Sequence, residues 1–262
     1  MIECVINISE GRDLKLVEKV ARSAGGDLLD VHTDPDHNRS VLTVVGPSAP
    51  IAIIRSAVEH LDLRSHTGAH PRFGVVDVVP FVPLDEATFE DALRARDAAA
   101  AWMAKELQLP VFLYGPERSL PDCRRGAFAT LKPDLGPPQP HPTAGAVAVG
   151  ARFPMLAWNL WLENNDLELA TSVANLIRGP SVRALGLQVG DHVQVSMNLI
   201  DPLSLGPTEV YDAVAAKAAI ARAELVGLAP NAVLAQVDRS RWEQLDLSLE
   251  TTIEFRRQQK QR

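Results

Sequence analysis

Residues 65–74 (SHTGAHPRFG) hold the densest set of groups that could move protons or bind anions: His66, His70 and Arg72 lie within a few positions of one another. An imidazole titrates near neutrality and suits proton transfer, while an adjacent guanidinium can grip a carboxylate through two parallel N–H donors. Gly68 and Pro71 oppose a regular helix across the segment, so the histidines belong to a shaped loop. His66 and His70 have the HxxxH spacing of a zinc pair, but that arrangement needs both rings on one helical face, which the same glycine and proline disfavour. A loop whose imidazoles merely cap backbone groups is the structural alternative. Spacing alone leaves both open.

Two further clusters carry similar residue types. Residues 32–39 (HTDPDHNR) offer a carboxylate to orient a histidine and present Arg39 to an anion, although the same letters also describe a plain Asp/Pro/Asn turn. Residues 7–12 (NISEGR) close a strand and open a helix; Ser9 fits a helix cap, the N–H groups of a helix start attract anions, and Arg12 adds a cation.

The elements that must position these clusters follow one order twice. In the first stretch, residues 2–8, 27–31, 40–45 and 75–82 read as strands, with helices at 13–23 and 50–63 and a polar turn at 32–39. In the second, strands fall at 155–162, 182–189 and 192–200, and a helix at 167–178. An alanine-rich helix follows at 208–225, opened by Thr208, then a closing strand at 225–228 and a short helix at 232–236 after Pro230. Both stretches read β-α-β-β-α-β, which predicts an α+β fold of two ferredoxin-like α/β subdomains, residues 1–153 and 154–262. Between them come a helix at 85–107, a strand at 111–114 and the proline-rich run 133–142. That run reads either as a stiff polyproline spacer or as the wall of a cleft. Residues 256–262 (RRQQKQR) have no apolar face and read as a frayed, solvated tail.

Composition sets outer limits. The 262 residues are 46% hydrophobic and 23% charged, enough for sizeable cores, and the net charge of -7 argues against nucleic acid or an anionic membrane as partner. Apolar runs are too short for a membrane span, and the N-terminus opens on a strand pattern with no secretory leader. Cys4 and Cys123 are too few for a disulfide framework or a thiolate zinc site. These features predict a cytoplasmic protein.

The order of the segments is more specific than any one of them. ECVINISEGR, LLDVHTDPDHNRSVLTVVGP, SHTGAHPRFGVVDVVPFVPL and VFLYG, followed by DLGPPQPHPTAGAVAVGAR, VQVSMNLIDP and ELVGLAP, resemble the formiminotransferase family over nearly the whole chain. These are the glutamate formimidoyltransferases of histidine catabolism, here without a cyclodeaminase domain. The resemblance implies transfer of a formimino group between N-formimino-L-glutamate and tetrahydrofolate as co-substrate, with no metal. It implies two α/β subdomains whose sheets face one another across a ligand cleft, and a homodimer. The family's catalytic histidine falls on His70, a general acid/base. Its folate-contacting run falls on Gly136, Pro137, Pro138, Gln139, Pro140, His141, Pro142, Thr143, Ala144 and Gly145. His66, Arg72, Arg39 and Arg12 are the candidates to bind substrate, the arginines through its carboxylates. The chain departs from the family pattern at Ile6, His32 and Ala144. Two alternatives keep the fold: a related enzyme acting on 5-formyltetrahydrofolate, and a non-catalytic folate-binding protein.

Overall fold

Alternation in the first strand, β1 (Ile2–Ile8), turns Cys4, Ile6 and Ile8 into the core, each all but fully buried. Side chains of that size contribute roughly 1.5–3 kcal/mol each when removed from water. The computed structural model describes residues 1–68 and 72–260. The chain divides into two units, Met1–Phe153 and Pro154–Arg262, and each has its own sheet and its own core. The α+β class that the sequence predicts is the class observed.

The first unit continues with α1 (Leu14–Arg22), β2 (Leu28–Asp34), β3 (Arg39–Val45), α2 (Ala49–His60), β4 (Val76–Pro83), α3 (Phe89–Glu106), β5 (Val111–Tyr114), α4 (Leu120–Gly126) and β6 (Val147–Ala151). Asp13 caps α1 by accepting from Leu16 N, and Thr88 and Asp91 form a reciprocal capping box on α3. The sheet order is β2-β3-β1-β4-β6-β5, antiparallel except for the β4–β6 and β5–β6 pairs. All eight residues of β4 are buried, as a central strand requires, and Asp77 is the only ionisable one among them. Along the β1–β4 pair the register steps from Asn7↔Val78 to Ile8↔Val76, leaving Asp77 unopposed. Such a bulge re-aims a side chain, and here the side chain is a carboxylate.

The second unit comprises β7 (Leu156–Leu162), α5 (Leu167–Ile177), β8 (Val182–Val189), β9 (His192–Leu199), α6 (Pro207–Ala215), β10 (Ile220–Leu225), α7 (Asn231–Leu234) and α8 (Ile253–Lys260). Its antiparallel sheet runs β10-β7-β9-β8 over a core that includes Trp158, Leu160, Val195 and Leu199.

Several expectations are corrected. The alanine-rich stretch is not one helix. α6 starts at Pro207 after Gly206 rather than at a Thr208 cap, ends at Ala215, and residues 220–225 form β10 against β7. Alanine favours helix intrinsically, but pairing with a buried strand outweighs a preference of that size. The expected strand at 225–228 therefore closes at Leu225. Residues 256–260 of the expected tail belong to α8, held at its start by buried Ile253 and by Glu254 accepting from Asn231 N, and residues 261 and 262 lie outside the described residues. β2 continues through His32 and Thr33 to Asp34, so the turn shrinks to residues 35–38. α4 and β6 have no counterpart in the sequence reading; β6 adds a parallel connection between β4 and β5. Among the described residues no helix is long and apolar enough to cross a membrane.

Candidate active site

The described residues of the three polar clusters meet in the first unit, at the end of β1 and the start of β4. Asn38 is the joint. Its Oδ1 accepts from Gly11 N (2.9 Å), its Nδ2 donates to the Thr67 carbonyl (2.9 Å), and its own carbonyl accepts from His66 Nε2 (2.8 Å). Its φ of 49° lies in the left-handed region that asparagine tolerates better than most residues. Arg12 reaches across to the Pro35 carbonyl (2.9 Å) and to Thr67 Oγ1 (3.3 Å). Gly11 is required by close approach, because a Cβ there would lie 2.3 Å from the Asp34 carbonyl oxygen.

Two roles considered for the 7–12 segment fall away. Ser9 does not cap the helix; its hydroxyl is buried and donates to the Gly74 carbonyl (2.8 Å), tying β1 to the stretch before β4. The N–H groups of Gly11, Arg12 and Asp13 are taken by Glu10 Oε1 at 2.8–2.9 Å, so the chain supplies its own anion at that turn.

His66 is held from both sides. A carbonyl can only accept, so the bond to Asn38 places the ring proton on Nε2 and leaves Nδ1 to accept from Arg72 Nη1. Burial holds the imidazole below its ordinary pKa; the Asn38 carbonyl opposes that, and the Arg72 charge adds to the depression. His66 is therefore a neutral link between Asn38 and Arg72. Arg72 also donates through Nη2 to the Gly68 carbonyl (2.6 Å). His70 lies outside the described residues. In the second cluster, His37 is buried with Nδ1 3.2 Å from Asp34 Oδ2, and Asp34 Oδ1 accepts from the backbone N–H groups of Asp36 and His37.

Beneath these groups lies a carboxylate that sequence reasoning missed. Asp77 Oδ2 accepts from Arg39 Nη1 (3.1 Å) and from Arg124 Nη2 (2.5 Å), and Oδ1 accepts from Phe73 N (3.0 Å). Arg39 is further fixed by Asn7 Oδ1, which accepts from its Nε (3.1 Å) and Nη2 (2.7 Å). Burial lowers the pKa of Arg39, Asp77 opposes that, and the charges of Arg124 and Arg72 lower it further. The available signal was a lone aspartate inside VVDVVPFV, since an acid in a fully apolar strand needs a cationic partner. Arg124, on the unanticipated α4, had no such signal.

The run from Gly136 to Gly145 belongs to the same unit. Its last residues lie against both flanks of the histidine loop: the Thr143 carbonyl accepts from Leu63 N (2.8 Å), the Ala144 carbonyl from Val75 N (3.0 Å), and Ala146 N donates to the Phe73 carbonyl (2.8 Å). His141 and Gly145 exchange backbone hydrogen bonds, and His141 Nδ1 accepts from Ala144 N (3.0 Å). Gly145 has φ of +70°, and a Cβ on it would lie 2.3 Å from the Phe73 carbonyl oxygen. Gly136, Pro138, Gln139, Pro140 and Pro142 are exposed, while Pro137 is half-buried. Among the described residues no three His, Cys, Asp or Glu side chains gather as a metal-binding group.

The arrangement therefore places Arg72 against His66, and Arg39 and Arg124 on the buried Asp77, where low exposure strengthens their electrostatic interactions. Comparison with known proteins gives the family. A family model described as the formiminotransferase domain, N-terminal subdomain, matches residues 1–152. The glutamate formimidoyltransferase of Streptococcus pyogenes serotype M1 is 33% identical, with 90% of this chain and 91% of that one covered. The glutamate formimidoyltransferase of Thermoplasma acidophilum is 34% identical over 90% of each chain. The formimidoyltransferase-cyclodeaminase of Gallus gallus is 35% identical over 88% of this chain and 50% of its own length. On these matches the chain belongs to the formiminotransferase family and is a transferase of the formimino-transfer type.

Proposed function

We propose that the protein transfers the formimino group between N-formimino-L-glutamate and tetrahydrofolate, with His70 as general acid and base. The observation that carries this is the convergence of residues 7–12, 32–39 and the described residues of 65–74 on one site in a chain of this family. In the forward direction a secondary amine nitrogen of the reduced folate bonds to the amidine carbon. The bond from that carbon to the glutamate nitrogen then breaks. The proton lost by the attacking nitrogen ends on the leaving amine, and His70 carries it between them. A protonated amidine is already electrophilic at carbon, so much of the remaining acceleration comes from holding donor and acceptor in register. Arg39, Arg72 and Arg12 hold substrate carboxylates, and His66 orients Arg72.

The run from Gly136 to Gly145 forms part of the folate-contacting surface; its support is the hydrogen bonding of residues 143–146 to Leu63, Phe73 and Val75. The ferredoxin-like reading of the two subdomains rests on the orders β2-β3-β1-β4 and β10-β7-β9-β8. Each places the fourth strand of its repeat beside the first, followed by the third and second.

Replacing His70 with alanine should lower turnover by about two to four orders of magnitude, the span general acid–base catalysis commonly supplies. The assay follows 5-formiminotetrahydrofolate by absorbance. Near-normal turnover in that variant would remove His70 from the chemistry. Turnover of 5-formyltetrahydrofolate alone would favour the related folate enzyme, and folate binding without turnover of any one-carbon donor would favour the binding protein.

A further inference from the structure

Among the described residues, the charges that meet at Asp77 are predominantly positive. One carboxylate, with its side chain only 1% exposed, faces two guanidiniums, and those are 18% and 20% exposed for Arg39 and Arg124. The other nearby acids are directed elsewhere: Glu10 to the backbone of residues 11–13, and Asp34 to His37 and the N–H groups of its own turn. Arg72 and Arg12 add further positive charge in the same region. Two cations sharing one buried carboxylate repel each other, and an arriving anion would relieve that repulsion.

The geometry is also fixed in advance. Asn7 holds one edge of the Arg39 fork and Asp77 an adjoining nitrogen, while Arg124 is held by Asp77 and lies over the Phe73 ring at 5.9 Å. Asp77 Oδ1 receives Phe73 N, so the same carboxylate sets the exit of the histidine loop and the spacing of the two guanidiniums. Planar donors held in this way suit a carboxylate better than a flexible ammonium would.

We propose that Arg39 and Arg124, paired by Asp77, form the subsite that takes a glutamyl carboxylate of a substrate, with Arg124 a binding residue and Asp77 the residue that positions both arginines. This rests on the formimino-transfer reading for the identity of the substrates. The carboxylate could belong to the formimino donor or to the glutamyl tail of the folate, and the two are separated by measuring KM for each in turn.

The test uses Arg124→Gln, Arg124→Lys and Asp77→Asn in the full chain. For Arg124→Gln the KM of one substrate should rise about tenfold or more while kcat falls much less, since a charged hydrogen bond made in both ground and transition states is lost. A rise for formiminoglutamate alone assigns the donor; a rise for tetrahydrofolate alone assigns the acceptor tail. Arg124→Lys should recover part of the loss, because charge survives and the planar fork does not. Asp77→Asn should raise the same KM, a split that simple destabilisation would not give. Calorimetric titration with N-formimino-L-glutamate and with tetrahydrofolate, on wild type and Arg124→Gln, measures the subsite without turnover. If wild type transfers the formimino group and Arg124→Gln leaves both KM values unchanged, the subsite is overturned and the reaction stands. If wild type shows no transfer but Arg124→Gln weakens binding of either molecule about tenfold, the subsite stands and the reaction is the part that fails. Unchanged binding of both molecules overturns the subsite in either case.

Discussion

His66 shows how a residue legible by type can have a role its type does not announce. The sequence places it beside Arg72 with an unassigned ring; the Asn38 carbonyl and Arg72 together make the neutral form the favoured one. A folded-state pKa below the ordinary value of about 6.5 means the unfolded chain binds the proton more readily. The stabilisation is therefore present above that pH and is lost as the pH falls through the depressed value. Urea unfolding at pH 7.5 and at pH 5.5 should show a larger loss of stability for wild type than for His66→Gln, which keeps a donor and an acceptor and does not titrate. Equal losses would mean that His66 does not couple folding to pH. Arg39, Arg72 and Arg12 were legible because guanidinium chemistry is visible in a letter. The linking roles of Asn38 and Asp77 were not, because each depends on three partners spread over long stretches of chain.

Elements were legible where periodicity was strong and local. β1, β5 and β8 lie where alternation or apolar runs put them, since burial on one or both faces writes a short-range pattern. β10 and β6 were hidden for different reasons. Alanine suits either state, so only pairing with β7 decides residues 220–225. GAVAVGA follows prolines and glycines that draw attention to turns, so β6 went unassigned. That run reaches the histidine loop through a crossing of two glycines, Gly74 and Gly145. Gly145→Ala should cost about 3 kcal/mol, combining the left-handed φ with the displacement of the Phe73 carbonyl, and unfolding in urea measures it. Gly179→Ala, where an added Cβ meets nothing, should stay within about 0.5 kcal/mol. A Gly145→Ala variant as stable as Gly179→Ala would show that the crossing opens freely.

At the scale of the whole molecule, the repeated element order was legible because alternation between a two-residue and a 3.6-residue period survives even where residue identity does not. The β5–α4–β6 extension was only partly legible, and it matters most for the site because it brings Arg124 to Asp77. Each unit has its own sheet, and among the described residues the buried clusters built on Ile6, Val79 and Phe112 consist of first-unit residues. A unit of 153 residues with its own core is of ordinary domain size. The fragment 1–153 should therefore fold by itself. Trp102 is its single tryptophan, packed on the core with Arg55 5.1 Å above its ring, and so reports on that unit alone. Its fluorescence should change in one cooperative urea transition, with a slope of about 1–3 kcal/mol per molar. A gradual, featureless change would show that the first unit needs residues beyond 153 to hold its fold, and that the Asp77 network cannot form without them.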